Sequence, residues 1–113
     1  MHRFQAEQAP RVEPAGHYGG LELSDVVPWP VGDNFSVSLS YCPPGGGGHR
    51  HHHDHEAQLF LVVRGQLSFD TGDEAFTLTE RQGVLFAPGE PHATRNDGAE
   101  ESVSVVVTVR RPA

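Results

Sequence analysis

The sequence predicts an all-β fold, a closed barrel or sandwich of short strands. Three observations carry that reading. Apolar residues recur in short runs or in strict alternation, the period of a strand. Turn residues separate these runs, with 13 Gly and 9 Pro among 113 residues, well above the usual share. No segment has the length and 3.6-residue period of a helix.

Residues 1–20, with "AP", "EP" and "AGHYGG", show no period and read as a flexible arm. Residues 21–113 read as a single barrel domain, since a chain of this length fills one domain and no more. The first strand is expected at 21–27 (LELSDVV). The next, 34–42 (NFSVSLSYC), alternates cleanly and puts Val37, Leu39 and Tyr41 on one face and Ser36, Ser38 and Ser40 on the other. Segment 57–63 (AQLFLVV) is apolar on both faces from residue 59 on, which suits a barrel strand whose outer side is also covered. Gln58 heads that run, and a buried amide without a partner costs about 1–3 kcal/mol, so a partner is expected. "Arg64-Gly65" and "Thr71-Gly72-Asp73" read as hairpin turns with Gly at positive φ, joining strands at 66–71 (QLSFDT) and 74–79 (EAFTLT). A strand at 83–87 (GVLFA) runs into the turn Ala87-Pro88-Gly89-Glu90-Pro91. Strands at 92–96 (HATRN) and 102–110 (SVSVVVTVR) complete the set.

The formal charge of −7 and 8 scattered Lys+Arg leave no basic patch for a phosphate backbone or an anionic membrane. No apolar run approaches the roughly 20 residues that span a bilayer, and the N-terminus lacks the apolar core of a secretory signal. A single cysteine, Cys42, excludes an internal disulfide, and the chain reads as cytoplasmic. At the end of an alternating strand, Cys42 is expected to be a small packed residue rather than a nucleophile.

Residues 45–58, "GGGGHRHHHDHEAQ", hold five of the eight histidines: His49, His51, His52, His53 and His55. A mobile Gly/His-rich loop, an expression tag and a metal site all fit the composition. The run is internal and interrupted, which rules out the tag. His51 and His53 are two apart, so on an extended strand their imidazoles point the same way. Gln58 begins the following strand and His92 begins a later one after a Pro/Gly turn. Three imidazoles and an amide oxygen make a partial shell for a divalent transition metal (Zn, Ni, Fe, Mn or Co), with positions left for water or substrate.

These residues resemble the two motifs of the cupins, G-x5-H-x-H-x3–4-E-x6-G and one ending P-x-G-x2-H-x3-N. Gly45, His51, His53, Gln58 and Gly65 stand at the first spacing, and Gly89, His92 and Asn96 at the second. The likeness covers about residues 34–110 and implies a jelly-roll barrel with His51, His53, His92 and Gln58 around a metal. It departs at Gln58, where the family carries Glu, and at Ala87, where it carries Pro. Gly83, taken as the glycine opening the second motif, lies closer to the turn than the pattern asks. His52 should point away from its neighbours and His49 should lie in a glycine-rich entry loop; His49, His52 and His55 are each expected to be solvated or to support the ligands from behind, and His2 and His17, in the arm, carry no signal.

A neutral Gln leaves the full charge of a divalent ion uncompensated. That strengthens Lewis-acid polarisation and disfavours dioxygen reduction at iron. Cupins with this ligand set resemble aromatic-polyketide cyclases and enzymes acting on unsaturated uronates. The expected activity is therefore a redox-neutral cyclase, isomerase or lyase reaction on a small keto/enol or aromatic substrate. A metal-dependent dioxygenase and a non-catalytic ligand-binding barrel are the alternatives. Tyr41, Glu90 and His52 are candidate bases, and Phe60, Phe69 and Phe86 are expected to line the pocket. So small a barrel is expected to form a homodimer.

Overall fold

The computed structural model of the chain describes residues 1–111. Eleven strands, β1 (Arg11–Val12), β2 (His17–Tyr18), β3 (Glu22–Val27), β4 (Phe35–Cys42), β5 (Gly47–His51), β6 (Glu56–Arg64), β7 (Leu67–Asp70), β8 (Ala75–Leu78), β9 (Gly83–Phe86), β10 (His92–Arg95) and β11 (Ser102–Arg110), form two antiparallel sheets. One sheet runs β1-β3-β4-β11-β6-β9 and the other β2-β5-β10-β7-β8. This is the all-β jelly-roll architecture expected, and the eight anticipated strands all form, within a residue or so at each end. Gly65 and Gly72 take φ of 75° and 93° in the two predicted hairpin turns. Among the described residues no helix is long and apolar enough to cross a membrane.

Which face of each strand points inward was not legible from alternation alone. On β4 and β11 the hydroxyl face is the buried one: Ser36, Ser38, Ser40, Ser102, Ser104 and Thr108 are all buried. The interior is already occupied by Leu21, Phe60, Val62, Leu67, Phe69 and Phe86, and small side chains fill what remains at close-packed density. The β6 run does alternate: Phe60 and Val62 are buried, whereas Leu59 and Leu61 remain 39% and 37% exposed.

Besides a short 3-10 turn at Ala6–Gln8, four elements lie outside the expected set. The N-terminal 20 residues, although without a period, hold two short strands: β1 pairs with β3 and β2 with β5. Ser24 Oγ donates to the carbonyls of Ala6 and Ala9, at 3.4 and 3.3 Å. A single helical turn, α1, spans Trp29–Gly32, too short to leave a periodic signal. The fourth is β5, which takes in Gly47 and Gly48 of the glycine run, with Gly45 and Gly46 in the turn before it. A Cβ on Gly47 would meet the Thr94 carbonyl oxygen, and one on Gly48 would sit 2.8 Å from the His17 ring. These glycines permit close approach rather than motion.

Gly83 opens β9 without a positive φ, and the left-handed position just before that strand is Arg81, at φ 69°. Asn96 has a structural role. Its Nδ2 donates to the Cys42 and Glu100 carbonyls, both at 2.7 Å, and its Oδ1 accepts from Gly98 N–H. It ties the β4–β5 connection to the one before β11.

Candidate metal centre

Register brings the histidines together. His92 on β10 is the cross-strand partner of His51 on β5, so their side chains meet on one face. His53 follows β5, and its carbonyl accepts the Gly89 N–H at 2.7 Å, which locks it to the turn that launches His92. Gln58 on β6 lies opposite Thr108 on β11. One nitrogen from each of His51, His53 and His92 lies within 4.8 Å of the others. Gln58 Oε1 is 3.1 Å from His92 Nε2.

Each imidazole is oriented through its other nitrogen. His51 Nδ1 donates to the His49 carbonyl at 2.9 Å. His53 Nδ1 faces the Glu56 carboxylate at 3.3 Å, and His92 Nδ1 approaches the Glu90 carbonyl at 3.4 Å. An oxygen acceptor on the far nitrogen is the usual support of a metal-binding histidine, because it fixes tautomer and ring direction. His53 Nε2 is buried with no hydrogen-bond partner, an expensive state for a polar atom unless something else satisfies it.

The amide is oriented too. Gln58 Nε2 donates to Thr108 Oγ1 at 3.1 Å, which turns Oε1 toward the histidines. That creates a conflict at His92. Its ring lies between two oxygens that can only accept, the Glu90 carbonyl and Gln58 Oε1. Burial, followed by the neighbouring His51, holds its pKa down to about 4, so the ring is neutral and carries one proton for two acceptors. A cation between Nε2 and Oε1 removes the conflict. Ligand bonds of about 2.0–2.2 Å place neighbouring donors about 3–3.5 Å apart, near the 3.1 Å of this pair. His53 is likewise pushed toward the neutral form, first by burial and then by His51. The residues present fit a divalent transition metal.

The cluster opens on a cavity of about 160 Å³ walled by Leu21, Leu23, Phe60, Leu67 and Val106, with His17, Ser40 and Thr94 as polar groups. Phe86 stacks on the His92 ring with centroids 4.3 Å apart, and Phe60 meets the same ring at 5.7 Å. Of the three phenylalanines expected to line the pocket, Phe60 does so; Phe86 backs His92, and Phe69 packs between Phe60 and Phe76.

The candidate bases are placed elsewhere. Tyr41 lies on the opposite face of β4 from Ser40, beneath the Arg11 guanidinium at 3.5 Å. Glu90 closes its own turn, its Oε1 accepting the Ala87 N–H at 2.7 Å. His52 points outward, as alternation required, and pairs with Asp54 at 3.3 Å. Cys42 is buried, with its thiol pushed up to about 11 by that burial, so it is packed and unreactive. Three contributors were missed: Thr108, Glu56 and His17. The Thr108–Gln58 pairing had no signal before the register was known, and His17 reaches the site on a two-residue strand.

Residues 38–109 match the family model described as "Cupin domain". The chain is 28% identical over 85 residues to the xanthan biosynthesis protein XanB of Xanthomonas campestris pv. campestris. That alignment takes in 75% of this chain but only 16% of the relative's length. A predicted oxalate decarboxylase from Thermotoga maritima superposes with a TM-score of 0.84 at 16% identity, covering 94% of this chain and 96% of that one. The polyketide cyclase RemF from Streptomyces resistomycificus gives 0.83 at 19% identity, covering 99% and 82%. With the family model spanning well over half the sequence, and its histidines converging in the barrel, the chain belongs to the cupin superfamily.

Proposed function

We propose that the barrel holds one divalent transition metal on His51, His53, His92 and Gln58 and acts on a small keto/enol substrate by redox-neutral chemistry. The observation that carries this reading is the donor set. Three imidazoles each bring one nitrogen within 4.8 Å of the others while their Nδ1 atoms face oxygens, and one amide oxygen is aimed by Thr108. All four donors are neutral. A metal bound there would supply Lewis-acid polarisation of a carbonyl or enol oxygen. The protein's own part is to hold the substrate against that centre, to exclude water with Leu21, Leu23, Leu67 and Val106, and to keep the imidazoles unprotonated. A cavity of about 160 Å³ is close to the roughly 150 Å³ that accepts benzene. This favours a substrate of a few heavy atoms over a polycyclic polyketide.

The placement of Tyr41, Glu90 and His52 away from the cavity favours a second reading, a barrel that binds such a ligand without turnover. Elemental analysis of protein purified without added metal tests the centre itself. About one divalent ion per chain is expected, with loss of the ion and retention of fold in Gln58→Ala. Iron content with oxygen uptake on a small enol or catechol would replace the redox-neutral reading by the dioxygenase alternative. A folded protein that takes up no metal would refute both.

A further inference from the structure

We propose that His17 is a substrate-contacting residue of this site, accepting through Nε2 a hydrogen bond from a hydroxyl or enol group of the metal-held ligand. The proposal rests on the metal-centre reading and extends it to the arm. His17 sits on β2, paired with Gly48 of β5, and its ring centroid is 5.9 Å from that of His51. It lines the cavity and also the surface groove of about 350 Å³ formed by Ala15, Gly16 and His49–His53. It therefore stands at the mouth between the two.

Its orientation repeats that of the cluster. His17 Nδ1 donates to the carbonyl of Ala15, two residues earlier, at 2.9 Å; His51 and His92 use the carbonyls of His49 and Glu90 in the same way. The tautomer that makes this bond leaves Nε2 with a free lone pair, and Nε2 has no hydrogen-bond partner among the described residues. The ring lies across Gly48, where a Cβ would come within 2.9 Å of Nε2. The absence of a side chain at 48 makes room for it. His17 is not part of the group whose nitrogens lie within 4.8 Å of one another, so it reaches the ligand rather than the ion. The chemistry selected is a small chelator that presents an O–H beside its metal-bound oxygen.

The test uses the full chain loaded with cobalt(II), whose visible spectrum reports both metal and ligand. Lactate is compared with 2-methoxypropionate, which offers the same carboxylate and oxygen but has no proton to donate. Wild type should bind lactate about fivefold to tenfold more tightly than the ether, the range of one net hydrogen bond. His17→Ala should keep one cobalt per chain and its melting temperature while binding the two probes equally. His17→Gln, which retains an acceptor, should keep part of the preference. Cobalt lost from His17→Ala as it is from His51→Ala would overturn the proposal by making His17 a ligand. An unchanged preference in His17→Ala, or a cobalt-loaded wild type that binds neither probe or both alike, would overturn it and leave the metal centre standing. A folded wild type that holds no cobalt would sink both.

Discussion

Thr108 touches no metal position, yet its hydroxyl is expected to set metal affinity. It receives the Gln58 amide N–H at 3.1 Å, and that bond decides that oxygen rather than nitrogen faces His92. Val is nearly isosteric with Thr, so Thr108→Val removes the acceptor and leaves the packing of a residue only 8% exposed. The amide then loses a net hydrogen bond of about 1 kcal/mol, roughly a fivefold effect. Where its NH₂ is left without a partner the total cost rises to about 1–3 kcal/mol, unless the group rotates and turns its donors on the cation. The combined expectation is a loss of about tenfold to hundredfold in affinity, the usual effect of removing a partner that orients a ligand. Competition of cobalt(II) or zinc(II) between the protein and a chromophoric chelator measures it, with thermal melting as the check on fold. Thr108→Ser should restore most of the affinity. If Thr108→Val bound metal within twofold of wild type, Gln58 would not owe its direction to Thr108, and the oriented amide would drop out of the cradle.

Acid should destabilise the metal-free protein through His92. Its pKa falls from 6.5 unfolded to about 4 folded, so the unfolded chain binds more protons between those values. Stability is therefore full above pH 6.5 and declines as pH falls toward 4, by up to roughly 3 kcal/mol; His53, shifted the same way, steepens the loss. Chemical denaturation across that window should show the slope, and a flat profile would refute the buried neutral imidazole. Arg81→Gly should stabilise the fold by about 0.5–1 kcal/mol, because an L-residue at φ 69° costs about 1–2 kcal/mol, partly offset by the extra freedom of glycine in the unfolded chain; an unchanged or lower denaturation midpoint would contradict this. Leu59, Leu61, Val63 and Leu85 stand exposed on the outer face of the six-stranded sheet, and we propose that a second copy covers them. Light scattering should give twice the 12.3 kDa chain mass, with Leu61→Lys/Leu85→Lys shifted to the single mass; a wild type at 12.3 kDa would refute the dimer.

What the sequence disclosed follows from what strand geometry can encode. Alternation and turn chemistry are local, so the strands from Leu21 onward and the turns at Gly65 and Gly72 were legible. The four candidate ligands were legible because a motif fixed their spacing across elements that no local rule connects. Alternation on β4 separated the serines from the valine and leucine but could not say which face goes in, since that depends on the bulk arriving from the facing sheet. The two strands of the arm left no signal for a similar reason. Two-residue strands such as β1 and β2 carry no period, and what holds them is pairing with β3 and β5. The glycine run also misled, because composition alone reads four glycines as freedom, whereas Gly47 and Gly48 are tied to Thr94 and His17.

Charge around the centre narrows the ligand further. Most carboxylates of this acidic chain stand away from the cavity. Glu56, beside the cluster, faces His53 Nδ1 with one oxygen and Arg110 with the other at 3.4 Å. Arg110 is itself held over the Trp29 ring at 3.7 Å, so the charge of Glu56 is already matched. A divalent ion on three imidazoles and an amide would therefore keep its charge within apolar walls, where an uncompensated charge is costly. The group best able to compensate it is the ligand. On the proposed reading, a small molecule whose metal-bound oxygen is anionic, with a separate O–H beside it, would gain more there than one that stays neutral. Gln58→Glu would supply that compensation from the protein instead, and so should tighten the metal while weakening the preference for an anionic ligand.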